Sequence, residues 1–129
     1  MKSYLIEATD DTPKVILDPE AGTFEFIGNS YPENSSKFYT PVLDWMKEFI
    51  ASGGGKAVVA SFNFDYFNTS SAKYILEILR LIEDYHKAGN SCKIKWHYFE
   101  EDTDMLEAGE DYERTIGVPF ELIERDDTF

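Results

Sequence analysis

This chain is poor in several kinds of residue, and each shortage removes a class of protein. There is one cysteine, Cys92, in 129 residues, so no internal disulfide can brace the fold. Cys92 lies in an alternating, strand-like run and reads as a small core residue. Lysine and arginine number 12 against 25 acids, a formal net charge of -13. Nucleic-acid binding needs clustered cations on phosphates, so that class is disfavoured, as is an anionic membrane surface. No stretch approaches eighteen consecutive apolar residues, and no basic leader precedes an apolar segment. A cytoplasmic protein is the expectation. Two histidines, His86 and His97, fall in no metal-ligand spacing and read as surface residues. Cys92 and His97 fall on opposite faces of a strand, which argues against a nucleophile pair. Ser52-Gly-Gly-Gly55 before Lys56 lacks the spacing and the Lys-Ser/Thr pair of a phosphate loop, and no Gly-x-Ser-x-Gly elbow occurs.

What remains is ample for one domain. Apolar residues make up 43% and aromatics 16%, enough for a real core at this length. Ser3 to Ala8, Pro13 to Leu17 and Thr23 to Ile27 read as strands, the last two forming a hairpin across Asp18-Pro-Glu-Ala-Gly22. Gly28-Asn-Ser-Tyr-Pro32 breaks the strand pattern. Phe38, Val42, Trp45, Met46, Phe49 and Ile50 recur at helical offsets. Pro41 there is tolerated at the first helical position after a Thr40 cap, and otherwise kinks a helix from Glu33; Phe38 and Tyr39 favour at least a helical turn before it. Lys56 to Phe64 has few polar positions and reads as a central strand covered on both faces. A helix follows Thr69, with Ile75, Leu79, Ile82 and Tyr85 on one stripe. Cys92 to Tyr98 alternates as a strand with one wetter face. A third helix is expected over Asp102 to Arg114, whole or broken at Gly109, and Pro119 to Ile123 reads as an edge strand or docked tail. The expected fold is an α/β sandwich with a mixed sheet. A Rossmann site is unsupported, because the first turn lacks the glycine fingerprint.

The chain is organised around the junction Phe62-Asn-Phe-Asp-Tyr-Phe-Asn68-Thr-Ser-Ser71, where a buried strand feeds directly into a helix. Side chains at such a junction are held by a stiff scaffold beside unpaired backbone N–H groups. Asn68 or Thr69 can serve simply as a helix cap, a role worth about 1 kcal/mol. The functional alternative is phosphorylation. A phosphate adds about two negative charges, and the helix dipole would favour it by about 0.3–1 kcal/mol. Thr69 is the first candidate, with Ser70 and Ser71 behind it because capping can consume them.

Several blocks together resemble one family. They are Thr12-Pro-Lys-Val15, Gly28-Asn-Ser-Tyr-Pro-Glu-Asn34, Phe38-Tyr39, Pro41, Trp45, Phe64-Asp-Tyr-Phe-Asn-Thr-Ser-Ser71, Trp96 and Asp104-Met-Leu-Glu-Ala-Gly-Glu-Asp-Tyr112. The chain resembles, over nearly its whole length, the SiaC-type bacterial regulatory phosphoproteins of biofilm and cyclic-di-GMP control. That family is similar in fold to the STAS domains of anti-sigma-factor antagonists. The resemblance implies a STAS-like single domain and a phosphorylatable threonine at Thr69. It also implies a cognate Ser/Thr kinase of the histidine-kinase-like ATPase type and a metal-dependent, PP2C-type phosphatase. It implies further that the unphosphorylated form binds and activates a diguanylate cyclase. No catalytic residue, cofactor or metal is expected.

Tyr31, Glu33 and Asn34 lie in the loop after the third strand. Parallel strands would bring this loop beside the junction, where these residues, with Asp65, Tyr66, Asn68, Ser70 and Ser71, would flank the acceptor and form a docking face. Residues 100 to 127 hold twelve acids against Arg114 and Arg125. A solvated acidic face, with Met105 and Leu106 as core anchors, is the preferred reading. Two rivals stay open. One is a magnesium-dependent enzyme using the acids around Asp102 with a loop carboxylate such as Glu33. The other is a structural or oligomeric adaptor.

Overall fold

Period-two alternation sorts the strands before any helix is considered. The structure, a computed structural model, describes residues 1–126. β1 (Tyr4–Ile6) is a short edge strand. β2 (Lys14–Asp18) buries Val15 and Leu17, and β3 (Thr23–Ser30) buries Phe24 and Phe26. The helix α1 (Ser35–Ala51) leads to β4 (Val58–Phe67), which buries Val58, Ala60, Phe62 and Phe64. Next, α2 (Thr69–Lys87) leads to β5 (Cys92–Phe99), with Cys92, Ile94 and Trp96 buried. Finally, α3 (Thr103–Thr115) leads to the other edge, β6 (Phe120–Arg125). The six strands lie in sequence order. β1–β2 and β2–β3 pair antiparallel, while β3–β4, β4–β5 and β5–β6 pair parallel.

An order that never reverses, joined by helical crossovers of one hand, places the helices on one face of the sheet. The core lies there. Phe24 meets Trp45 and Phe49 of α1 edge-on, and Trp96 meets Tyr112 of α3. On α2 the expected stripe of Ile75, Leu79, Ile82 and Tyr85 is buried. The opposite face of the sheet is open. On β4 it carries Val59, Ser61 and Asn63, all half-buried. The expectation that this strand is covered on both faces is therefore corrected. It is central in the sheet but alternates, with a small polar residue at two of the three outward positions, as a one-sided strand does.

Other expectations are settled or change. The strand does not end at Ile27, because β3 runs to Ser30 with Gly28 at φ 115°. The pairing slips between Gly28 and Asn29, so that Asp65 of β4 is skipped. Helix α1 begins at Ser35 with Asn34 as its cap, and Pro41 sits inside it. The side chain of Asn34 takes the N–H of Lys37 at 3.0 Å, which fixes the start of the helix before the proline is reached. Gly109 does not break α3. It lies buried, with the Trp96 ring so close that a Cβ there would come within 2.4 Å of it. The two histidines are half-buried rather than fully exposed. Burial and the neighbouring Arg125 and Lys95 hold the His97 pKa below its ordinary value, against the opposing charge of Glu121. Among the described residues no helix is long and apolar enough to cross a membrane.

Candidate functional site at the strand–helix junction

Parallel strands with helical crossovers bring the carboxyl ends of β3, β4 and β5 and the amino ends of all three helices to one edge of the sheet. Each helix is capped there by an Asx side chain. Asn34, Asn68 and Asp102 accept from the backbone N–H of Lys37, Ser71 and Met105 at 3.0, 2.9 and 3.0 Å. Each cap satisfies one of the orphan donors of its first turn and sets where the helix begins.

At the junction itself, the cap is Asn68, not Thr69. The Asn68 N–H donates to the Ser30 carbonyl at 3.0 Å, and the Asn68 carbonyl takes the Ala72 N–H at 3.0 Å. Thr69 is thereby the first helical residue. Its side chain is exposed, and its hydroxyl has no hydrogen-bond partner among the described residues. The next two hydroxyls are engaged. Ser70 is exposed but shares a 2.6 Å hydrogen bond with Ser35 at the start of α1 and donates to the Asn68 side chain at 3.3 Å. Ser71 is fully buried. It donates to the Ser30 carbonyl at 3.0 Å and receives the Ser30 hydroxyl at 2.8 Å. Ser71 therefore drops out as an acceptor or surface contact, because its place is under the helix start.

Beneath the junction, Ser30, Tyr39 and Ser71 form a buried hydroxyl network. Tyr39 and Ser30 share a 2.5 Å hydrogen bond, and the Tyr39 ring stacks on Tyr74. Burial pushes the Tyr39 phenol up to about 12, against the opposing pull of its serine partners. The network ties the end of β3, the second turn of α1 and the first turn of α2 into one unit. Sequence pattern does not single out Ser30 or Ser35. The one available signal is the repetition of Asn-Ser-Ser at Asn34 and Asn-Thr-Ser-Ser at Asn68, two caps whose following serines meet.

The flanking residues lie in two groups. The skipped residue Asp65 is a bulge, and bulges re-aim the side chains beside them. The buried alternation of β4 ends there, leaving Asp65 and Tyr66 both exposed. Tyr66 and Tyr31 are two of the four exposed large apolar side chains among the described residues, and their rings lie 6.0 Å apart. Asp65 is tied by Arg125 at 2.9 Å, whose guanidinium lies 3.8 Å from the centre of the Phe99 ring. On one side of the junction, Glu33 and Asn34 line a shallow hollow of about 430 Å³ with Thr12, Phe38 and Pro41. On the other, Asp65, Tyr66 and Phe67 line a second hollow of about 320 Å³ with Asp102, Asp104 and Met105. Glu33 and Asp102 thus lie in separate hollows, and among the described residues no group of three or more His, Cys, Asp or Glu is placed to hold a metal ion. The magnesium-enzyme reading loses its geometric basis. Met105 is the core anchor it was expected to be, and Leu106 is only half-buried. Asp127, the last acid of the C-terminal run, lies outside the described residues.

A one-sided α/β sandwich that presents an unshared hydroxyl beside a pair of exposed tyrosines has the form of a small regulatory domain. The chain belongs to the SiaC family of regulatory phosphoproteins, whose family model it matches over residues 6–125. It is 32% identical over 127 residues to an uncharacterized protein of Pseudomonas aeruginosa strain UCBPP-PA14, covering 98% of this chain and 100% of that one. Among solved structures it is similar to apo-SiaC from Pseudomonas aeruginosa, with a TM-score of 0.87 and 32% identity over 95% of this chain and 99% of that one. It is equally similar to a chain in the crystal structure of the diguanylate cyclase SiaD in complex with its activator SiaC from that organism. There the TM-score is 0.89 and the identity 32%, over 95% of this chain and 99% of that one.

Proposed function

We propose that this protein is a phosphorylation-controlled binding module of a partner-switching pathway, with Thr69 as the phosphoacceptor. The observation that carries the reading is the difference among three consecutive hydroxyls. Ser71 is buried, Ser70 is shared with Ser35, and Thr69 is exposed and unshared. A kinase needs an oxygen free to attack the γ-phosphate and reachable without unfolding, and Thr69 alone meets both conditions at this junction.

The unmodified surface around Thr69, with Tyr31 and Tyr66, docks an effector. The similarity to a chain from a complex between a diguanylate cyclase and its activator makes such a cyclase the proposed effector. A cognate Ser/Thr kinase transfers phosphate from ATP to the Thr69 hydroxyl in the cytoplasm, and a PP2C-type phosphatase removes it. ATP and metal belong to those enzymes. The added phosphate sits by the free N–H groups of the first turn of α2, so the domain tolerates it. Its charge and bulk act on the docked partner, where each 1.4 kcal/mol changes affinity about tenfold.

The test is to incubate the protein with its kinase and ATP and locate the phosphate by mass spectrometry. One phosphate on Thr69, lost in Thr69→Ala and retained in Ser70→Ala, is the expected result. Phosphate found only elsewhere, or none, overturns the reading.

A further inference from the structure

The hollow between the end of β4 and the start of α3 has a construction that the acceptor role does not use. Its floor is apolar, made by Phe67, Met105 and Ala108, and the exposed Tyr66 ring forms one wall. Carboxylates stand round the rim. Asp65 is held by Arg125, and Asp102 spends one oxygen on the cap of α3. Asp104 is exposed and has no ion-pair partner among the described residues. An apolar floor under an acidic rim suits a segment that inserts one apolar side chain and lays lysine or arginine over the edge.

The groove adjoins the acceptor, since Phe67 in its floor precedes Thr69 by two residues. Phosphorylation at Thr69 would add about two negative charges beside an already acidic rim. A basic occupant therefore binds the phosphorylated form more tightly than the unmodified one. An effector released by phosphorylation would show the reverse preference, and a kinase docked here would hold its product more tightly than its substrate. The partner whose substrate is the phosphorylated form gains in the right direction.

We propose that this groove docks a basic segment with an apolar anchor, carried by the phosphatase that acts on Thr69. The inference rests on the proposed role of Thr69. The phosphatase removes the phosphate by hydrolysis, water taking up the phosphoryl group and the Thr69 oxygen regaining its proton. The groove takes no part in that step and supplies affinity only. High salt weakens the docking, because rim charges in water are screened.

The experiment measures dephosphorylation of the full chain, phosphorylated on Thr69, by a PP2C-type phosphatase of the same genome. Asp104→Lys is expected to raise KM about tenfold with kcat unchanged, and Asp104→Asn to raise it less. The difference between Asp104→Lys and the parent chain shrinks in high salt. A second arm measures binding of the unphosphorylated chain to the phosphatase by calorimetry. There the parent chain binds weakly and Asp104→Lys more weakly still. Unchanged KM and unchanged binding overturn the proposal, as does an Asp104→Lys defect confined to cyclase binding. A chain that takes no phosphate on Thr69 overturns the acceptor reading instead, and the second arm then decides the groove on its own.

Discussion

Three neighbouring hydroxyls with three different surroundings predict three different responses to the same kind of substitution. Thr69→Ala removes an exposed side chain without partners, so its stability should stay within about 0.5 kcal/mol of the parent. Ser71→Ala removes a buried hydroxyl that donates to the Ser30 carbonyl and receives the Ser30 hydroxyl. Leaving those groups short of a partner costs about 1–3 kcal/mol. Urea unfolding of the two variants separates them, and a Ser71→Ala chain as stable as the parent would show that the buried network contributes little. The Asn-Thr-Ser-Ser string was legible as a strand–helix junction because a polar run between a buried strand and a helical stripe has few other meanings. What engages Ser70 and Ser71 was not legible. That depends on Ser30 and Ser35, which lie 41 and 35 residues away in the chain from the serines they meet, and no local pattern carries that distance.

At the scale of elements, local rules succeeded where one signal dominated and failed where two competed. The stripes of α1 and α2 and the β2–β3 hairpin follow from periodicity and turn residues alone. Pro41 allowed a helix start at Thr40 while Phe38 and Tyr39 favoured a turn before it, and the Asn34 cap with the burial of Tyr39, Val42, Trp45 and Met46 on one face carries the helix through the proline. Gly109 suggested a break in α3, since glycine in a helix is worse than alanine by about 1 kcal/mol. Its actual reason is contact, because α3 lies against Trp96, whose indole N–H donates to the Met105 carbonyl at 3.0 Å. The usual sign therefore inverts. Gly109→Ala improves helix propensity but drives a methyl into Trp96 and Leu122, and overpacking of that kind costs about 1–3 kcal/mol. Thermal unfolding should find Gly109→Ala less stable than the parent, with a changed Trp96 fluorescence. A more stable variant would mean that α3 slides freely on the sheet. The bulge at Asp65 has no signal within β4 itself, since the glycine at the slip, Gly28, lies on the partner strand β3, yet it leaves Tyr66 exposed at the site.

For the whole molecule, the large negative charge sets a background against which single carboxylates act with opposite signs. With a pI near 4.4, acidification from neutral pH first relieves self-repulsion and favours the compact state. Glu83 works against that gain. It is a buried carboxylate of α2 that takes the Gly117 N–H at 2.6 Å, with Arg80 at 3.1 Å and Lys87 at 3.8 Å. The Gly117 hydrogen bond, helped by Arg80 and Lys87, holds its pKa below the ordinary carboxylate value in spite of burial. As pH falls below that ordinary value, the unfolded chain takes up a proton that folded Glu83 still refuses, so stability declines. The contribution is present in full above the unfolded value and is lost once pH passes below the folded one. Glu83→Gln removes this dependence while keeping the shape of the side chain. Near pH 7 the variant should unfold at a lower temperature than the parent, because Gly117, Arg80 and Lys87 lose a charged partner. The two melting curves should then converge as pH drops through the lowered Glu83 value. A gap that stays constant across that range would assign the effect to packing. A parent chain no more stable than the variant at neutral pH would mean that the loop at Gly117 is held on α2 by Ile116 and Val118, both buried, without help from the carboxylate.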